Sequence, residues 1–152
     1  MQKLLIFPVA IAEAIIKYYG ECSDKEQILL LYLKESGEGI YVNHIVFPPI
    51  GEYRLSSRNK ASLKPTYLLE RIVDAINEDA AGIMLMHNHT NFMPLFSSSD
   101  RQANKMFFRF FQQNNIDIIA GSAVYAKNRV SYVTNSDLLR NCCCVRLHNK
   151  RG

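Results

Sequence analysis

Two histidines, a serine and an aspartate stand close together in the middle of this chain. The stretch runs His87-Asn88-His89-Thr90-Asn91-Phe92-Met93-Pro94-Leu95-Phe96-Ser97-Ser98-Ser99-Asp100. Its pattern is H-x-H, seven residues, then S-x-x-D. Two imidazoles and a carboxylate are the three protein ligands zinc takes when its fourth position is left for water. In an extended segment, side chains two apart point the same way, so His87 and His89 can reach one ion. Asp100 arrives eleven residues later from another element. A closed structural site would want four ligands, often cysteines, so the pattern points to a catalytic ion. The expected cofactor is one Zn2+ per chain, held by His87, His89 and Asp100.

Ser97-x-x-Asp100 has a second meaning. It is a variant of the capping box, with Ser97 as the N-cap of a helix and an acid three residues on. The two roles are compatible. A carboxylate in the first turn is held ionised by the helix dipole, and an ionised carboxylate is what a metal needs.

At these residues the chain resembles the JAB/MPN domain family with its JAMM metalloprotease motif, a glutamate upstream followed by H-x-H, seven residues, S-x-x-D. The resemblance covers roughly residues 8 to 134 and implies a single α/β domain with a curved mixed sheet flanked by helices. It implies a zinc isopeptidase that removes a ubiquitin-like protein from lysine, or processes its precursor. Bacterial members sit in antiviral and conjugation-like systems, which makes activating and conjugating enzymes the expected further partners. It also assigns Ser97 as the oxyanion donor and Glu26 as the general base. The residues alone leave Glu21, Asp24, Glu26, Glu35 and Glu38 open for that base. The family's glutamate enters a strand of the form E-x-x-G-L-L-x-G, whereas this chain has Ile28-Leu29-Leu30-Leu31-Tyr32 in place of the glycines.

Asn88 replaces the Ser or Thr usual between the histidines. H-N-H is typical of the RadC-like branch, which shares the fold, although Thr90-Asn91-Phe92 departs from that branch's P-S-G. The alternative function is therefore a RadC-like role in DNA metabolism or mobile-element biology. A nuclease of the HNH type would need a ββα arrangement rather than a serine and an aspartate at this distance. Asn88 either braces its loop or donates to substrate.

Composition agrees with one globular domain over residues 1–152. The 152 residues are 48% hydrophobic and 21% charged, which fits an ordered core. The net charge of +4 is mild, and no aromatic-basic stripe of a nucleic-acid binder occurs. Pro8 and Glu13 interrupt the first apolar stretch, which reads neither as a signal peptide nor as a membrane span. Cys142, Cys143 and Cys144 in a row suit reduced thiols rather than a disulfide framework, so a cytoplasmic protein is expected. Residues 135–152 read as a basic, cysteine-containing tail. Within it Cys144 and His148 form half of a possible zinc clip.

The elements that must position the site follow from periodicity. A helix is expected over 8–19, with Pro8 at its start and Gly20 at its end. The unbroken run 27–34 reads as a strand covered on both faces, paired with 40–47 across Ser36-Gly37-Glu38-Gly39. Residues 48–64 are polar and long for a loop, a flap that could complete a substrate groove. Helices are expected over 65–79 and 98–114, with Met106, Phe107, Phe110 and Phe111 in the core. A buried strand over 82–86 delivers His87 at its end. Strands follow over 116–126 and 129–134.

Overall fold

The computed structural model describes residues 2–21, 24–37, 39–139 and 142–147, of which 142–144 are described by backbone only. Its elements in order are β1 (Leu4–Ile6), α1 (Val9–Gly20), β2 (Ile28–Ser36) and β3 (Gly39–Val46). A 3-10 turn (Ile50–Glu52) leads to β4 (Tyr53–Ser56) and β5 (Ala61–Leu63), then α2 (Pro65–Asn77) and β6 (Gly82–Asn88). The chain continues through α3 (Ser98–Gln113), β7 (Ile119–Ala126), β8 (Arg129–Thr134) and β9 (Cys142–Arg146). The fold class is α/β, as expected. Seven strands form one mixed sheet in the order β1-β3-β2-β6-β7-β8-β9, and β4 and β5 form a separate hairpin. The pairs are antiparallel except β1 with β3 and β6 with β7.

The run Ile28 to Leu33 is apolar throughout because both faces of β2 are covered. Leu29, Leu31 and Leu33 pack with Ala12, Ile15 and Tyr19 of α1. On the other face Tyr32 packs with Ile72 and Ala75 of α2 and Phe111 of α3. Ile28 and Leu30 meet Leu63 of the hairpin. Alternation along a strand produces this sorting, and burial of such side chains is worth about 1.5–3 kcal/mol each. Gly82 opens β6 where it crowds β7; a Cβ there would lie 2.7 Å from the Ile119 carbonyl oxygen.

Several boundaries differ from expectation. Residues 48–64 are not a bare loop, since they contain the 3-10 turn and the β4–β5 hairpin. The sheet extends beyond 8–134 at both ends. Leu4–Ile6 pairs with β3, and Cys142–Arg146 pairs with β8, so part of the expected tail belongs to the sheet. Leu139 and Leu147 are buried. Cys22, Glu38, His148, Lys150 and Arg151 lie outside the described residues, as do the cysteine side chains of β9. The aromatic stripe of α3 divides: Phe111 is fully buried, whereas Met106 is 70% exposed and Phe110 37%. No helix among the described residues is long and apolar enough to cross a membrane.

Candidate metal centre

Strand β6 runs two residues further than the expected 82–86, and this extension presents the histidines. His87 pairs with Ile28 on one side and Val124 on the other. The backbone N–H of His89 continues the ladder to the Tyr125 carbonyl at 2.9 Å. Both rings therefore leave the same face, as their spacing demands. Beyond His89 the chain turns sharply. Phe92 adopts a left-handed φ of 65°, and the Met93 N–H donates to Asn91 Oδ1 at 3.0 Å. Ser131 Oγ donates to the Pro94 carbonyl, and Thr90 Oγ1 donates to the Arg58 carbonyl at 2.9 Å. The turn is thus tied to β8 and to the hairpin tip.

This turn fixes one imidazole. His89 Nδ1 lies 2.8 Å from the Met93 carbonyl. A carbonyl only accepts, so Nδ1 carries the proton, and in the neutral ring Nε2 presents a lone pair. A second hydrogen bond of this kind is the usual support for a metal-ligating histidine.

Helix α3 supplies the third group. Ser97 is its N-cap: the Asp100 N–H donates to Ser97 Oγ at 3.0 Å, and the Ser97 N–H donates to Asp100 Oδ2 at 2.9 Å. The expected capping box is present in full. It turns the Asp100 carboxylate back over the helix start, toward the two rings. His87 Nε2 lies 3.2 Å from Asp100 Oδ1, and His89 Nε2 lies 2.9 Å from Asp100 Oδ2. The two Nε2 atoms are 3.2 Å apart.

These separations suit a small cation. A tetrahedral ion with bonds of 2.0–2.1 Å has ligand atoms about 3.3 Å apart. His87, His89 and Asp100 could together hold a metal ion. The side chains of His87 and Asp100 are 16% exposed and that of His89 is 8% exposed, so a ligand retains access from one side.

The electrostatics agree with the donor set. Burial works against charge on Asp100, but hydrogen bonds from His87, His89 and the Ser97 N–H outweigh it. Its carboxyl is held well below the usual carboxylate range. Burial also opposes charge on His89, and there the Asp100 carboxylate and the Met93 carbonyl win, raising the imidazole above its ordinary value. A proton shared among these groups is what a bound cation would displace.

Of the four described acids among the five left open by the residues, Glu26 is the one that shares this cleft. The antiparallel register ends with Ile28 against His87, and Glu26, two residues before Ile28, lies near enough to feel the charge of His87, His89 and Asp100. Glu26 is 7% exposed. Burial pushes its carboxyl up, the nearby histidines pull it down, and Asp100 adds to the rise; the net shift is upward. By contrast Glu35, at the far end of β2, pairs with Lys3 Nζ at 2.9 Å.

The cleft has a volume of about 410 Å3. Glu26, His87, Ser97 and Asp100 are among its lining residues. Asn59 to Leu63 of the hairpin form one wall, and Met106, Phe107 and Phe110 of α3 another. The exposed side chains of the α3 stripe are therefore cleft lining, which a helical period cannot distinguish from core. Asn88, between the two histidines, is buried and is absent from the cleft lining.

No family model matches the sequence, and no curated protein matches it significantly.

Proposed function

We propose that this protein is a zinc-dependent isopeptidase of the JAB/MPN type, acting on a ubiquitin-like protein joined to lysine or carried as a precursor. The observation that carries this reading is the grouping of His87, His89 and Asp100, two of which, His87 and Asp100, line a cleft together with a buried glutamate. Three ligands with an open side suit a catalytic ion rather than a structural one. His87 Nε2, His89 Nε2 and an Asp100 oxygen would hold it. Its chemical contribution is Lewis acidity toward a water and a scissile carbonyl.

The remaining steps fall to side chains of the chain. Glu26 accepts the proton of the attacking water and returns it to the leaving amine as the C–N bond breaks. Its upward shift suits that task, because a base must also act as the acid that gives the proton back. Ser97 Oγ accepts from the Asp100 N–H, which leaves its own O–H to donate to the oxyanion. The hairpin wall from Asn59 to Leu63 would line an extended substrate tail, the role expected of residues 48–64.

The test is incubation with fusions of the ubiquitin-like proteins encoded beside this gene, read by mass. Cleavage after the C-terminal residue of the ubiquitin-like protein is expected, lost with a chelator and restored by zinc. No cleavage together with tight DNA binding at physiological salt would favour the RadC-like alternative.

A further inference from the structure

Asn88 stands between the two histidines, yet its side chain turns away from them. It is 4% exposed. Its Oδ1 accepts from the Gln27 N–H at 2.7 Å, and its Nδ2 donates to the Lys25 carbonyl at 3.1 Å. The partners fix which amide atom is which, since an N–H only donates and a carbonyl only accepts. The two bonds fall on the peptide units on either side of Glu26. We propose that Asn88 is a positioning residue for Glu26, holding the base in register with the metal-ligating strand. This rests on the functional reading above.

The geometry explains why a carboxamide is needed. Glu26 precedes β2, where the ladder between β2 and β6 has ended, so Lys25 and Gln27 lack strand partners of the regular kind. A backbone N–H or carbonyl shielded from water and left unbonded is costly. One side chain that donates and accepts at once satisfies both. A serine has one oxygen for the two jobs, and an aspartate at neutral pH can only accept. Asn88 is continuous with His87 and His89, so the same strand that aims the ligands also aims the base. The other side of Glu26 is held by the hairpin: its N–H donates to the Ser57 carbonyl at 2.7 Å, and Ser56 Oγ donates to its carbonyl at 2.6 Å. A base misplaced by about 1 Å can lose on the order of a hundredfold in rate.

The experiment compares wild type, Glu26→Gln, Asn88→Ala and the Glu26→Gln/Asn88→Ala double variant, each loaded with cobalt(II) alone. The readout is the visible spectrum at fixed pH, which responds to groups beside the ion as well as to its ligands. Expected are full cobalt binding in all four and an altered spectrum in Glu26→Gln. Asn88→Ala should reproduce that alteration, with no further change in the double variant. Turnover should follow the same pattern, falling about tenfold or more in Asn88→Ala with KM unchanged. The double variant should then be no slower than Glu26→Gln. Should Asn88→Ala fold poorly, Asn88→Asp keeps the shape and the acceptor but loses the donor, and should move the spectrum in the same sense. A wild-type spectrum in a folded Asn88 variant, or in Glu26→Gln, would overturn the positioning role while leaving the metal site standing. Failure of the wild-type protein to bind cobalt would instead remove the functional reading itself, and the positioning role with it.

Discussion

Glu26 and Glu35 border the same strand at opposite ends, and the fold gives them opposite lives. Glu35 is on the surface, bonded to Lys3 at 2.9 Å, where an exposed ion pair is worth about 0–1 kcal/mol. Glu26 is buried, is shifted upward by that burial, and faces two histidines and an aspartate. By residue type the two are interchangeable. What separates them is the register of β2 against β6, which sets one near His87 and the other at the far end of the strand. Glu26 is a carboxylate that the fold holds where water would have stabilised it better.

The sharpest way to break this comparison is to neutralise each acid in turn. Glu26→Gln should lower turnover about 10²–10⁴-fold while retaining metal, since only the base is lost. Glu35→Gln should leave turnover unchanged and cost less than about 1 kcal/mol of stability. Equal losses from the two would erase the distinction.

Ser97 sharpens it at the next level, because it both caps the helix and lines the cleft. Ser97→Ala should cost about 1 kcal/mol through loss of the N-cap, measured by chemical denaturation. It should also slow turnover about a hundredfold by removing an oxyanion donor. A loss of stability without the loss of rate would leave Ser97 as a cap alone.

The smallest effect is a gain. The carboxyl of Glu26 is raised in the folded state above its ordinary value of 4.5. The folded protein therefore holds that proton more tightly than the unfolded chain. Its contribution favours folding below the ordinary glutamate range and is lost as pH rises through the shifted value. At neutral pH the buried charge is a cost, so in metal-free protein Glu26→Gln should stabilise by on the order of 1 kcal/mol. The gain should shrink as pH falls toward 4.5. Denaturation at several pH values reads it, and a destabilised Glu26→Gln at neutral pH would contradict the burial argument. Glu35→Gln should show no such gain.

Local patterns carried much of this architecture. Period two placed His87 and His89 on one face, and the spacing of Ser97 and Asp100 announced the cap that turns the carboxylate toward them. The apolar run after Glu26 announced a strand covered on both sides. Other features depend on partners far along the chain. Leu4–Ile6 is only three residues long and becomes a strand by pairing with Gly39 to Tyr41. The β9 segment reads as a cysteine-rich tail until β8 is beside it. The β4–β5 hairpin is short and mostly polar, with a register shift between Tyr53 and Leu55 that breaks any alternation. The two partners of Asn88 lie more than sixty residues before it, so spacing alone could not choose between bracing and substrate contact.

The central claim is the ion itself, and elemental analysis of purified protein addresses it without any substrate. One zinc per chain is expected in the wild-type protein, and none in the His87→Ala/His89→Ala double variant. Stoichiometric zinc that survives the double change, or a folded wild-type protein that takes up no zinc when it is supplied, would contradict the assignment.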